Sequence, residues 1–355
     1  MVVYKYLTRG VGKMSMNGKQ RVTMKDIAQH TGYSINTVSQ VLRGIYPSGP
    51  TCDKVLAAAK ELGYIGNSIA SSMRLGSTKT IAIIQSDISN PYFGRLIRNF
   101  VNILSERGYT ATIYNTDNVL SHERAAVISA IRQNVDGVLF GPDDLHSGES
   151  VEFLCNSRIP FVVFANDVSN PGVSSVRIDE VKGGFLATRH LVSQGCRKIV
   201  MATAPKGILS AQLRLEGYRQ ALEKSGLPYL SSNIVTVPSV FASQGGHRRA
   251  WKEVCAQLAQ IPFDGIVAFS DQVALKLLQG LREQGFDRMA IDQIPIVGFD
   301  NIMETFPLPL PLSSVGCVGE DIAHATPRLL LEMIEQGEDF VPQKLVLDVK
   351  VYKRQ

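Results

Sequence analysis

"TMKDIAQHTGYSINTVSQVL" runs from Thr23 to Leu42 and places two short amphipathic segments on either side of one glycine. Thr23 is a good N-cap, and Asp26 stands at the far corner of a capping box with a shortened acid. Ile27 and Ala28 supply the buried side of a first helix ending near His30. Gly32 permits the turn, since it accepts positive φ at no steric cost. Ser34 caps a second helix in which Val38, Val41 and Leu42 follow helical spacing and face inward. Ile35, Asn36, Ser39 and Gln40 are left on the outside, and Gly44 ends the helix. A third helix, "CDKVLAAAKELGY", turns Val55, Ala58, Ala59 and Leu62 inward to close a small core.

This is a helix-turn-helix arrangement, whose second helix enters the DNA major groove. Asn36 and Gln40 have the amide geometry for a bidentate pair with adenine, and Ile35 fits a thymine methyl. Tyr33, Thr37 and Ser39 are candidate phosphate contacts, which position without specifying. Thr23 and Ser34, at the two helix starts, complete the expected DNA-facing set. A plain helical bundle with a polar surface would carry the same local pattern, so the rest of the chain must decide.

The chain has 355 residues, of which 45% are hydrophobic and 19% charged, so two or three globular domains are expected. Residues 1–80 hold 11 Lys+Arg against 3 Asp+Glu, while the remainder holds 26 against 29. A basic first fifth on a near-neutral body fits a nucleic-acid-binding head on a separate core. No apolar run approaches the roughly 20 residues of a membrane helix. The N-terminus, residues 1–20, is basic without an apolar stretch and reads as a disordered tail rather than a secretory signal. The five cysteines are scattered, never closer than 41 residues, which suits a reducing cytoplasm and no zinc site.

From Thr80 onward, short apolar runs alternate with amphipathic stretches: "TIAIIQSD", "YTATIYNT", "VDGVLFGP", "IPFVVFAND", then "RKIVMATA", "NIVTVPS", "DGIVAFSD" and "IPIVGFD". Continuous apolar strands between helices mean parallel sheets covered on both faces. There are too many for one compact sheet, so two doubly wound α/β lobes are expected. Their ligands bind beyond the carboxyl ends of the strands. "FPLPLPLSS", Phe306–Ser314, contains three prolines and reads as an extended crossing segment.

"VTMKDIAQHTGYSINTVSQVLRG", "KVLAAAKELGYIGNSIA", "TIAIIQSDISNPYF", "IVAFSDQVAL" and "IPIVGFDN" occur in one order. Together they resemble the lactose-repressor/galactose-repressor (LacI/GalR) family from about Val22 to the C-terminus. The resemblance implies a bacterial transcription regulator, probing a palindromic operator as a homodimer and modulated by a small effector, most simply a carbohydrate. It implies an all-α helix-turn-helix head at 21–66, a hinge helix and linker at 67–78, and a core at 79–355 shaped like a periplasmic sugar-binding protein. Lobe 1 would hold about 79–176 and 318–341, and lobe 2 about 177–317 and 342–355. By the same resemblance Ile35, Asn36 and Gln40 fall at base-reading positions and Thr37 and Ser39 at backbone-contacting ones. "NSIASSM" matches the hinge helix, with Asn67 at its start, Ala70 packing in the minor groove and Met73 replacing the usual leucine wedge. Gly66 replaces the usual proline, which makes that helix harder to order.

Candidate effector contacts follow from strand ends and from the family pattern. Asp87 ends the first strand of the core, with Tyr92 and Phe93 just beyond it. Carboxylates accept hydrogen bonds from sugar hydroxyls, and an aromatic face covers the apolar side of a ring. Arg214 falls at the family's effector-binding arginine, its planar fork suited to vicinal oxygens. Asn166, Asp271 and Asp300 end further strands, and Ser270 stands where the family often has asparagine. A helix cap or surface acid is the plainer reading for each carboxylate. A ligand that fits one lobe orientation shifts the population toward it, and the hinge helices carry the change to DNA.

No GxSxG, HExxH, strand-linked GxGxxG or P-loop occurs, so an enzyme is not expected, and no cofactor is. An exported sugar-binding protein would share the core but not the basic head. A global regulator governed by a phosphocarrier protein is the alternative within the regulator class. The last residues, "DVKVYKRQ", carry no apolar heptads, which favours a dimer over a tail-built tetramer.

Overall fold

The computed structural model describes residues 22–64, 76–142, 148–238, 246–286, 293–302, 312–319 and 321–354. The chain divides into two compact units, Met1–Gly76 and Ser77–Gln355. The hinge residues Gly66, Asn67, Ala70 and Met73, the tail 1–20 and the proline-rich run 306–310 lie outside the described residues.

The first unit holds α1 (Met24–Thr31), α2 (Ile35–Leu42) and α3 (Pro50–Glu61). The Asp26 carboxylate accepts from the backbone N–H and the hydroxyl of Thr23, both at 2.7 Å, which ties down the start of α1. Gly32, at φ +77°, follows the helix and donates its N–H to the Ala28 carbonyl at 2.9 Å. Ser34 caps α2 by accepting from the Thr37 N–H at 3.0 Å. α3 opens on Pro50 rather than at Cys52, because proline's missing donor costs nothing in a first helical turn. Ile27, Ala28, Val38, Val41, Val55, Ala58 and Ala59 pack into one core. Ser39 departs from expectation. It is only 7% exposed and shares the inward side of α2 with Val38 and Val41. The inward stripe of a packed helix spans 100° or more, and a small hydroxyl residue fits its margin.

The second unit begins at Ser77, two residues earlier than the expected core start. The Asp136 carboxylate accepts from the Thr78 N–H at 2.7 Å, the Thr78 hydroxyl at 2.9 Å and the Lys79 N–H at 3.1 Å. These bonds fasten the entering chain to the first lobe. There follow β1 (Thr80–Gln85), α4 (Pro91–Glu106), β2 (Thr110–Asn115), α5 (Leu120–Arg132), β3 (Gly137–Gly141), α6 (Gly148–Ser157), β4 (Phe161–Phe164) and β5 (Ser174–Ile178). The chain continues through α7 (Glu180–Ser193), β6 (Ile199–Thr203), α8 (Leu209–Lys224), β7 (Ile234–Thr236), α9 (Gly246–Leu258), β8 (Gly265–Ala268), α10 (Asp271–Glu283) and β9 (Ile296–Phe299). It closes with β10 (Ser313–Cys317), α11 (Ile322–Gln336), β11 (Lys344–Leu347) and β12 (Val349–Tyr352).

Two six-stranded sheets result, in the orders β11-β5-β4-β3-β1-β2 and β12-β10-β9-β8-β6-β7. Every pairing is parallel except β10 with β12. Buried apolar residues run continuously from Ile81, Phe100 and Leu329 in the first lobe to Leu191, Tyr218 and Val315 in the second. Each sheet's other face has its own core, around Val127 and Val138 in one lobe and Val254 and Leu277 in the other.

The chain crosses between sheets three times, at Asp179, around 318–321 and at Asp348. The crossings are laced together: the Asp179 N–H donates to the Leu347 carbonyl and the Val318 N–H to the Asp348 carbonyl, both at 2.9 Å. The expected lobe limits need correction here. β5 runs on to Ile178 in the first sheet, and β11 also belongs there, in register with Ser175–Ile178. Residues 344–347 therefore extend lobe 1, because the exposed edge of β5 accepts one more parallel strand.

Candidate functional site

In the head, α2 turns Ile35 and Asn36 outward from its first turn, with Ile35 52% exposed. An isoleucine left that far in water on a three-helix bundle has nothing to gain from its own fold. Ser34 and Thr23 are exposed beside their helix starts, while Tyr33, Thr37 and Gln40 are half-buried. Tyr33 packs against the small core, and the Lys54 ammonium lies 5.4 Å from its ring centroid. Ser39, turned inward, drops out of the outward-facing set. Residues 22–64 carry four Lys/Arg against three Asp/Glu, so this helical bundle is close to neutral by itself.

In the core, a cavity of about 620 Å³ opens between the carboxyl ends of the two sheets. The first lobe contributes Gln85, Asn90, Tyr92, Phe93, Arg95 and Asn166 to its wall, and the second Glu180, Arg214, Ser270 and Asp300. Asn90 caps α4 by accepting from the Tyr92 N–H at 3.0 Å. The Asn-Pro start thereby aims the first turn of α4 into the cavity. Tyr92 and Phe93 meet edge to face with ring centroids 5.1 Å apart.

Arg214 is the anchor of the opposite wall. Its Nε donates to Glu180 Oε2 at 2.6 Å and its Nη2 to Glu180 Oε1 at 3.2 Å, a two-pronged pair with both side chains under a tenth exposed. Nη1 donates to the Phe269 carbonyl. The guanidinium also lies 4.0 Å from the Phe299 ring centroid and 4.7 Å from that of Phe269. Burial works against the charge, but Glu180 and then Asp300 hold the Arg214 pKa above its ordinary value. The pair meets because α7 and α8 touch backbone to backbone. A Cβ at Gly184 would lie 2.1 Å from the Arg214 carbonyl oxygen, and one at Gly217 would lie 2.0 Å from that of Val181. Only glycine allows that approach.

Asp300 stands at φ +91° and Asn301 at φ +50°, a turn that costs roughly 1–3 kcal/mol per residue for side chains other than glycine. Burial pushes the Asp300 carboxyl up to about 6; Arg214 and Arg95 pull it down and Glu180 pushes it up. Burial likewise lifts the Tyr92 phenol well above its usual range, helped by Asp300.

Of the effector contacts expected from sequence, Tyr92, Phe93, Asn166, Arg214 and Asp300 come together in this wall, and Asp87 and Asp271 do not. Asp87 is buried, and its Oδ1 accepts from the Ser89 N–H at 2.7 Å, so it shapes the turn into α4. Asp271 is fully buried beneath the wall, where Oδ2 accepts from the Ile302 N–H at 2.9 Å. Burial and then Asp300 push its carboxyl up to about 8. Ser270, one residue earlier, takes the lining place and caps α10 by accepting from the Val273 N–H at 3.3 Å. Asp167, beside Asn166, is spent on Ser175 and Lys344 at 2.9 and 2.6 Å. Sequence reasoning missed Gln85, Arg95 and Glu180. A partial signal for Glu180 was present: it is the second of two acids, Asp179 and Glu180, that follow the strand "SSVRI" at the carboxyl edge of a sheet.

Comparison with known proteins places this architecture. Residues 23–67 match the family described as bacterial regulatory proteins, lacI family, and residues 81–308 match a periplasmic binding protein domain. The ribose operon repressor of Halalkalibacterium halodurans is 33% identical over 316 residues, covering 88% of this chain and 91% of that one. The chain belongs to the lacI family of bacterial regulators. Among solved structures, the transcriptional regulator CelR–cellobiose complex aligns with a TM-score of 0.64 at 26% identity, over 94% of this chain and 99% of that one. The Lac repressor bound to ONPG in the repressed state aligns with a TM-score of 0.75 over the same shares. At 21% identity that likeness shows the fold alone. Among the described residues, no helix of this lacI-family chain is long and apolar enough to cross a membrane.

Proposed function

We propose that this chain is a cytoplasmic homodimeric repressor that reads a palindromic operator through α2 and answers to a neutral sugar in the interlobe cavity. The observation that carries the reading is the charge balance of the cavity wall. The cations Arg214 and Arg95 face Glu180, Asp300 and Asp321, so no positive charge is left over for a phosphate or a carboxylate. Hydroxyl-binding amides, carboxylates and aromatic rings remain, which is the lining a polyhydroxyl ring requires. The relatives support the same class, one being a ribose operon repressor and another bound to cellobiose. On the DNA side, Ile35 and Asn36 are the side chains offered to base edges, with Gln40 behind them, and Thr23, Tyr33, Ser34 and Thr37 to the phosphates. Asn67, Ala70 and Met73 are proposed for the minor groove.

The test is selection of bound duplexes from a random DNA pool at fixed salt, then titration of the winning duplex with D-ribose, cellobiose and their phosphates. An enriched palindrome whose occupancy changes with a neutral sugar is expected. A response to the phosphorylated sugars alone would overturn the neutral-ligand assignment. Absence of any enriched sequence would overturn the operator assignment.

A further inference from the structure

Arg95 lies in the first turn-and-a-half of α4, in lobe 1, yet its guanidinium reaches two backbone carbonyls of lobe 2. Nη2 donates to the Asp300 carbonyl at 3.1 Å and Nη1 to the Asn301 carbonyl at 3.5 Å. The two carbonyls belong to the left-handed turn that follows β9. The N–H groups of that turn are all held within lobe 2. Asp300 donates to the Val315 carbonyl at 3.1 Å, Asn301 to Ser314 Oγ at 2.9 Å and Ile302 to Asp271 Oδ2 at 2.9 Å. The Asn301 side chain is held by Arg354. The turn is thus fixed from below by its own lobe and from above by one guanidinium of the other lobe.

Two consequences follow from this geometry. A fork that spans two successive carbonyls resists both sliding and rotation, which a point charge on a flexible stem does not. The same turn carries the Asp300 carboxyl into the cavity wall, so whatever holds the turn also aims that carboxyl. We propose that Arg95 is a positioning residue that latches the two lobes through the Asp300–Asn301 turn and presents the Asp300 carboxylate to a neutral, hydroxyl-bearing ligand. The proposal rests on reading this cavity as the effector site, but the latch is a contact between groups of the chain itself and is tested without added ligand.

The experiment is hydrogen exchange of the full chain without ligand, in the wild type, Arg95→Gln and Arg95→Lys. In Arg95→Gln the amides of Asn301 and Ile302 exchange roughly tenfold faster or more, since the charged donor no longer closes the turn. The buried half of α4 around Phe100 and Leu104 keeps its protection. Arg95→Lys restores part of the slow exchange through one carbonyl. Titration with D-ribose and cellobiose follows, and any sugar that binds the wild type binds Arg95→Gln more weakly. Unchanged exchange at Asn301 and Ile302 with weakened sugar binding would make Arg95 a direct ligand contact and overturn the latch. Faster exchange throughout the core in both variants would make it a general stability residue and overturn the latch as well. If neither sugar binds the wild type, the effector reading loses its support while the exchange pattern still decides the latch.

Discussion

The outward face of α2 and the wall of the interlobe cavity are both polar surfaces, yet they are made in opposite ways. The first is a few side chains at the start of one helix, with Ile35 and Asn36 turned out into solvent and the core left to other faces. The second gathers side chains from both lobes around a buried, two-pronged Arg214–Glu180 pair, with Arg95 of one lobe held on backbone carbonyls of the other. A reading surface must keep its donors and acceptors open for a partner. A switching surface must already be coupled to the fold, because a ligand moves an equilibrium only through groups whose contacts differ between its states.

Breaking the coupled surface should therefore cost far more than breaking the open one. Glu180→Ala strands a buried guanidinium, and about 3–5 kcal/mol of stability should be lost, read as the shift in a denaturant melt. The double variant Glu180→Leu/Arg214→Met should regain most of it, since a buried pair replaced by apolar groups of similar volume is often near neutral. It should still lack any sugar response. No regain in the double variant would mean that the two side chains do not act as a pair.

The open surface gives the second, smaller effect. Asn36→Ala should relax the preference at one base pair per half-site by about 1–3 kcal/mol, with the melting midpoint unchanged because the residue is exposed. It is measured by competition among single-base operator variants. A uniform loss across all variants would move Asn36 from base reading to backbone contact.

The same contrast explains what could be foreseen from the residues alone. The head was legible because its information is local: Thr23, Gly32, Ser34 and Gly44 mark boundaries, and helical spacing sorts the core from the surface. The alternation of apolar runs gave the two-lobed α/β core. The cavity was legible only where a strand end and a suggestive residue coincided, as at Tyr92, Arg214 and Asp300. Asp87 and Asp271 also follow strands, but backbone N–H groups claim their carboxylates, and no spacing reveals which way a post-strand acid turns. Glu180 carried a strand-end signal too, but its role exists through Arg214, 34 residues away and brought near by two glycines on packed helices, which no local spacing shows. Arg95 escaped because its partners are backbone carbonyls 205 and 206 residues on.

A third effect sharpens the coupled side. The Asp300 carboxyl, pushed up to about 6, is mostly protonated at pH 5 and mostly ionised at pH 7. Ionised, it only accepts hydrogen bonds, which is what a sugar hydroxyl needs from it. The affinity for a neutral sugar should therefore rise with pH through about 6, by up to roughly tenfold between pH 5 and 7. Asp300→Asn should remove the rise. A flat profile in the wild type, measured by calorimetry, would take Asp300 out of the ligand's contact set.

The smallest effect is the sharpest check on the open side. Spacing alone places Ser39 with Asn36 and Gln40 on the outside, whereas in the folded head it is 7% exposed beside Val38 and Val41. A residue that water hardly reaches has no path to a phosphate oxygen unless α2 itself rearranges. Ser39→Ala removes one hydroxyl at the margin of the core and leaves the exposed first turn of α2 as it was. Operator affinity should change by less than about 0.5 kcal/mol, as for substitutions away from any special feature. Its dependence on salt should stay the same, because no phosphate contact is lost. A drop of one unit in the salt slope would mean that Ser39 does reach the DNA backbone, and that α2 turns about its axis when it docks.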